Sequence, residues 1–317
     1  MNYRTIFAKN KLGLAVALLI SIIALGFTSL PQRIFEAVFE QSAPNDSSVI
    51  IHHSSLNMNF DYDKAWKEID SLEQQGLPKT ALEKTEALLE IARKENENAQ
   101  VIKALMYRGK YQSQLEEEGL AMAISRLKAE AEKADFPVKP ILQSMLAEMY
   151  ANYLNQNLWR FQNRTTTVEF KPEDFKTWSI EQLTEESAKL YRASLTDPKL
   201  KTTDLGNYKI LLTEGRNDEG LRPTLFDFLA HRAIDFFMNE RTYVTQPAYK
   251  FYIDDVKAFV PAAEFVNWKI ETQDSNSWKL QTLLLFQDLL RFRLSEKMKQ
   301  SPSLLDADLK RQVQQKR

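Results

Sequence analysis

Asp227, His231 and Asp235 are the residues whose types and spacing come nearest to a chemical site in this chain. They stand four residues apart, so a helix carries all three on one face. Two carboxylates and an imidazole so placed could hold a divalent metal or exchange protons. The helical wheel argues otherwise. At about 100° per residue the three fall on one polar arc. Leu225, Phe226, Leu229, Ala233, Phe236 and Phe237 fill the opposite arc. The expectation is a solvated face with weak pairing between turns, and no metal is assigned to it. His52 and His53 are adjacent, as transition-metal ligands can be, but in an untethered loop the pair is read as incidental. Carboxylates cluster at Glu116-Glu117-Glu118, Glu185-Glu186 and Asp254-Asp255. Paired acids can cleave glycosides, yet sequence neighbours on a helix do not face each other. These clusters are read as solvated surface. No Gly-x-Ser-x-Gly elbow and no glycine-rich phosphate loop occurs. The absence of cysteine excludes thiol nucleophiles, zinc-thiolate sites and disulfides. No cofactor is expected.

Aromatic residues are the other candidates. Trp159, Trp178, Tyr249, Tyr252 and Trp268 belong to an aromatic-rich second half and are taken as a possible partner surface. Packing between helical layers is the plainer account of such rings.

The elements that must position these residues are helical. Glycine numbers only 8 in 317, while Leu, Ala, Glu, Lys and Gln abound, which points to an all-α body. From residue 61 apolar residues recur at three- and four-residue steps. Tyr62, Trp66, Ile69 and Leu72 mark one helix. Ala81, Leu82, Thr85, Leu88, Leu89 and Ala92 mark the next, opened by Pro78. Further stripes follow over 98–117, 120–134 and 138–158. Two corners read alike: Gly76-Leu77 before Ala81-Leu82, and Gly119-Leu120 before Ala123-Ile124. This is the logic of tetratricopeptide-type hairpins, with an irregular period. The fold expected is an irregular, tetratricopeptide-like α-hairpin solenoid over 60–158, followed by a second helical region over 159–317. Within the latter, 165–170 has β-branched character and 215–220 reads as a turn. Residues 180–194, 224–239 and 278–298 read as helices, with 203–212 less regular and 243–268 loop-rich. The 278–298 helix is apolar on nearly every side and should be covered on both. Ser301-Pro302 interrupts it, and 306–317 reads as a polar, charged tail.

The N-terminus sets the compartment. Residues 12–30 carry no charge and follow Arg4, Lys9 and Lys11. Leu12, Leu18, Leu19, Ile20, Ile22, Ile23, Leu25 and Phe27 supply the apolar surface. A bilayer needs about twenty such residues in a helix. Read to Leu30 the segment is a signal anchor; read to Ile23, with Ala24 and Gly26 as a small-x-small site, it is a cleaved signal peptide. A buried globular helix is the third reading. The basic flank places the N-terminus in the cytoplasm and the body outside it. Residues 31–59 have the composition of a flexible spacer. Net charge is −1 with no basic stripe, so nucleic acid is not an expected partner.

The stretch from Ala65-Trp66-Lys67-Glu68-Ile69 through Gly76-Leu77-Pro78-Lys79-Thr80-Ala81-Leu82, and then Ala99-Gln100-Val101-Ile102-Lys103-Ala104-Leu105, resembles the helical N-terminal region of bacterial alpha-2-macroglobulin-like envelope proteins. Thr224-Leu225-Phe226-Asp227-Phe228-Leu229-Ala230 and Trp278-Lys279-Leu280-Gln281-Thr282-Leu283 fit the same region. The family traps or inhibits proteases through a bait segment, macroglobulin sandwiches and often an internal thioester. Here there is no cysteine for a thioester and no run of strands for sandwiches. The resemblance therefore implies only the helical N-terminal part of such a system, unable to trap a protease alone. The function expected is a non-enzymatic docking scaffold in the bacterial cell envelope, held to the membrane by its N-terminal segment and binding a protein partner rather than a small molecule. The alternative is a carbohydrate-binding envelope protein of a nutrient-uptake system, although its usual lipidated cysteine is missing.

Overall fold

The computed structural model describes residues 60–161, 171, 174–212, 220–239, 249–295 and 301–314, with backbone alone at 159–161 and 314. The apolar segment 12–30, the spacer with His52 and His53, the β-branched stretch 165–170 and most of the expected turn at 215–220 lie outside them. Among the described residues the body is all-α and holds no strand. No described helix is long and apolar enough to cross a membrane.

Five helices form the first part: α1 (Tyr62–Gln74), α2 (Pro78–Glu95), α3 (Asn98–Leu115), α4 (Gly119–Lys133) and α5 (Val138–Phe161). Then come α6 (Ile180–Ala193), α7 (Leu225–Phe237), the one-turn α8 (Ala262–Phe265), α9 (Trp278–Ser295) and α10 (Pro302–Gln314). Local chemistry sets their starts. Asp61 caps α1 by accepting the Lys64 amide at 2.9 Å. Pro78 opens α2, where its missing N–H costs nothing. Ser179 with Gln182, and Thr224 with Asp227, form capping boxes on α6 and α7. Four 3-10 turns each begin at an aspartate that accepts an amide two residues on: Asp174, Asp197, Asp204 and Asp255.

Each helix from α1 to α7 packs on the next in the chain. In addition α3 packs on α5, and α5 on α7. Burying each stripe requires a neighbour on either side, because a single amphipathic helix has nowhere else to place it. One continuous apolar core runs from Trp66 to Ala307. Each fully buried Leu or Phe in it contributes about 1.5–3 kcal/mol. The helix α5 runs through residue 158, where a boundary between two regions was expected, and the core continues across it.

After α7 the order changes. Helix α9 packs on α7, and both α8 and α10 pack on α9. Most of α9 is covered, as its apolar residues require, although Leu284 faces solvent. The segment expected to be a polar tail is in fact a helix. Leu304, Ala307 and Arg311 recur at helical spacing and are buried, while Leu305, Leu309 and Val313 face outward. Ser301 starts it: its Oγ accepts the Leu304 amide at 3.3 Å, and Pro302 follows at the first helical position. The 3-10 turn Leu205–Leu211 lies back on α3, burying Tyr208 and Leu211.

Candidate functional site

The arc of α7 expected to be solvated is covered at Asp227 and His231, while the Asp235 side chain stays 41% exposed. Asp227 is 2% exposed and His231 1%. The arc is polar because charged side chains of α9 and α10 face it. Arg293, from α9, donates to Asp227 through Nε at 2.7 Å and again through Nη2. Asp227 also accepts the Thr224 amide at 2.9 Å and the Thr224 hydroxyl at 2.6 Å. Its carboxylate is thus a helix cap and an ion-pair partner at once, with no oxygen free for a metal or a substrate. His231 faces α10. Its Nδ1 stands 3.3 Å from Lys310 Nζ, and its Nε2 stands 3.6 Å from Asp306 Oδ2. Asp235 pairs with the same Lys310 at 2.7 Å. The three residues therefore do not converge on one centre: Asp227 is taken by Arg293, while His231 and Asp235 share Lys310. Among the described residues no group of three metal-ligating side chains forms.

Burial pushes the His231 imidazole well below its ordinary range, and Arg222, Lys310 and Arg293 push it further the same way. A neutral ring is what the geometry needs. An ammonium can only donate, so Nδ1 must accept from Lys310 and the ring proton sits on Nε2. A second, partly buried ion pair joins Arg232 to Glu148 of α5 at 2.5 Å, with Arg232 Nε also donating to the Ser144 hydroxyl at 2.9 Å. Burial pushes Glu148 up, and Arg232 opposes this without cancelling it.

The aromatic candidates divide. Trp178 is 8% exposed and stacks on Tyr150 with centroids 5.8 Å apart, so its ring is core and not a partner surface. The Trp159 side chain lies outside the described residues. Tyr249 and Tyr252 are exposed at 70% and 59%. Trp268 is half-buried, packed on Phe265 at 6.2 Å.

Tyr252 and Trp268 share an open groove of about 680 Å³. Its floor and walls come from the irregular segment 251–271, with Phe251, Val260 and Ile270 as apolar lining. Four carboxylates line it, Asp254, Asp255, Glu264 and Glu271, against Lys257 and Lys269. Asp255 is committed to its 3-10 turn, and Glu271 pairs with Lys269 at 3.3 Å. Asp254 and Glu264 make no ion pair or side-chain hydrogen bond among the described residues. The Trp268 indole N–H likewise finds no acceptor among them.

An irregular segment needs its backbone polar groups satisfied from elsewhere. Helices α9 and α10 do this. Gln287 donates to the carbonyls of Phe265 and Trp268 at 2.9 and 2.8 Å, and Arg291 to that of Val266 at 2.7 Å. Arg311 donates to Ala258 and, at 2.9 Å, to Val260. Its guanidinium lies 4.3 Å from the centre of the Phe265 ring, and Asp308 neutralises it. The Phe251 amide is held by Asp274 at 3.2 Å. The groove is an open concavity whose lining carries carboxylates, amines, an amide and aromatic rings.

Arg293, Arg311 and Gln287 were not among the sequence candidates. Their signal was faint: a long polar side chain inside an otherwise apolar helix stripe, as in Leu283-Leu284-Leu285-Phe286-Gln287. No protein-family model, curated protein or solved structure matches the chain.

Proposed function

We propose that this chain is a non-enzymatic docking module of the bacterial cell envelope, in which the groove at 251–271 receives an extended, cationic segment of a protein partner. The observation that carries this reading is the groove itself: two uncommitted carboxylates, Asp254 and Glu264, beside Tyr252 and Trp268, on a segment held rigid by α9 and α10. A preformed surface costs less ordering on binding than a mobile one. Lysine or arginine on the partner would meet the carboxylates and stack on the rings. The packing of each helix on its chain neighbours supports a tetratricopeptide-like hairpin array as the scaffold. The uncharged leader supports export, and the likeness to the helical N-terminal region of alpha-2-macroglobulin-like proteins supports a place beside a protease-inhibitor system.

The test is a crosslinking experiment with a photoreactive residue at the exposed Tyr249, two residues before the groove lining begins, in envelope fractions at pH 7.5. The expected outcome is one specific protein adduct, reduced at least tenfold by Asp254→Lys with Glu264→Lys, and weakened by added salt. An adduct that survives both charge reversals sinks the reading. One observation favours the carbohydrate alternative: Tyr252 and Trp268 flank a polar lining that includes Asn267, a combination suited to stacking on sugar rings. Glycan-array binding lost in Trp268→Ala but kept in the charge reversal would select it.

A further inference from the structure

We propose that α10 is an acid-releasable clamp on the groove: protonation of His231 beneath it frees the helix, and with it the groove wall that Arg311 holds. The clamp depends on the docking reading only for its use, since it then regulates the same site.

The argument begins with hydrogen-bond direction. Lys310 Nζ and His231 Nδ1 stand 3.3 Å apart. The ammonium has no lone pair, so the contact exists only while Nδ1 is an acceptor. A proton on Nδ1 turns the contact into two donors facing each other, both positive, at a ring that is almost fully buried.

The surrounding charges decide whether the imidazolium is tolerated. From its own helix, Asp227 is taken by Arg293 and Asp235 by Lys310. From α5, Glu148 is taken by Arg232. From α9 the facing group is Arg293, and from the turn before α7 it is Arg222. From α10 come Lys310 and Asp306. Among the described residues Asp306 is the one acid with a buried oxygen that makes no hydrogen bond, Oδ2, but that oxygen stands 3.6 Å from the ring and 4.0 Å from Arg222. Three cations therefore stand around the ring, Arg293 and Lys310 already paired with Asp227 and Asp235, and Arg222 sharing Asp306; the carboxylate left nearest the imidazole is beyond hydrogen-bond distance, so none accepts its proton. Moving α10 away relieves this, because both Lys310 and the burial of the ring leave with it.

The second half of the clamp is mechanical. One residue beyond Lys310, Arg311 donates to the Ala258 and Val260 carbonyls, and Val260 lines the groove. Buried carbonyls that lose a charged donor are costly, so the segment 256–260 cannot keep its shape once α10 departs. Lys310 and Arg311 tie the acid-sensitive ring and the groove wall to adjacent positions of one helix.

The test is amide hydrogen exchange on the full 317-residue chain from pH 7.5 to 4.5, corrected for the intrinsic pH dependence of exchange. The amides to follow are those of α10 and of Ala258 and Phe259, which bond to Asp255 and Val256 carbonyls. One proton taken up on opening gives an opening equilibrium that rises up to about tenfold per pH unit below about 6.5. The expected result is that α10 and Ala258–Phe259 lose protection together along that slope. In His231→Asn, whose amide oxygen can accept from Lys310 without titrating, the profile should be flat. The clamp is refuted if wild-type protection stays level or rises in acid, as it would if Asp306 welcomed the imidazolium. It is refuted equally if α10 loosens while Ala258 and Phe259 do not. The wild-type profile decides even if the variant fails to fold. No partner is needed, so loss of the docking reading at pH 7.5 and loss of the clamp are separate results.

Discussion

At the residue scale, the buried charges set the strongest constraints. Asp227 and Arg293 are both nearly inaccessible and satisfy each other and the Thr224 cap. Removing one partner leaves a charge with no water to receive it, which costs about 3–5 kcal/mol. Arg293→Met should lower unfolding stability in urea by that amount. A loss under about 1 kcal/mol, the range of a surface pair, would show that water reaches Asp227. Glu130 offers a pH-dependent counterpart. It accepts from Arg93 and Arg108, each at 2.8 Å. Burial pushes its carboxyl up, but the two arginines outweigh this and hold it below its ordinary value. A depressed carboxyl binds its proton less readily in the folded state. It therefore adds stability above about pH 4.3, and that stability is lost as the pH falls through the folded value. Glu130→Gln should reduce stability at pH 7 by about 1 kcal/mol and have a smaller effect by pH 3. A deficit unchanged between the two pH values would mean that the charge is irrelevant and only shape matters.

At the element scale, the two Gly-Leu corners look alike in sequence and differ physically. Gly76 has φ +71 with open space around it, so it serves the left-handed turn between α1 and α2. Gly119 is the first residue of α4, and a Cβ there would lie 2.0 Å from the Ser113 carbonyl oxygen. It serves the close approach of α4 to the end of α3. Gly76→Ala should cost about 1–2 kcal/mol for the left-handed conformation. Gly119→Ala must push backbone apart and should cost about 3 kcal/mol or more, at the upper end of overpacking. Comparable thermal shifts in the two variants would contradict the distinction. The helices themselves were legible because apolar spacing and caps agree, from Trp66 and Ile69 in α1 to Leu283, Phe286 and Leu290 in α9. The candidate site was less so. A polar arc reads as solvated when its partners are unknown, and Arg293 and Lys310 lie far along the chain from Asp227 and His231. Helix α10 was hidden because its buried face includes Arg311, which no hydrophobic pattern counts as core. The 3-10 turns had a usable mark in Asp174, Asp197, Asp204 and Asp255, each with Lys or Gly two residues on.

At the scale of the whole molecule, the question is whether a helical array unfolds piecemeal. Arrays that touch only chain neighbours lose their ends first, because each unit is held from one side. Here two features oppose that. A second cluster, Ala147, Ala188, Tyr191, Ala233, Phe237 and Trp278, ties α5, α6, α7 and α9 to one another. The turn Leu205–Leu211 returns across the fold to α3, so α3 is held by more than its chain neighbours. Unfolding should then be a single transition, with circular dichroism and tryptophan fluorescence superimposing in guanidinium. The staple is the element to remove. Tyr208→Ala with Leu211→Ala deletes two buried side chains from the α3 contact, at about 2–5 kcal/mol each. That loss falls on the bond between halves more than on either half. The variant should split the transition, with amides of α1 to α3 exchanging before those of α6 and α7. If it instead shifts one unsplit transition to lower denaturant, the α2–α5 packing alone carries cooperativity along the array, and the returning turn is only a cover.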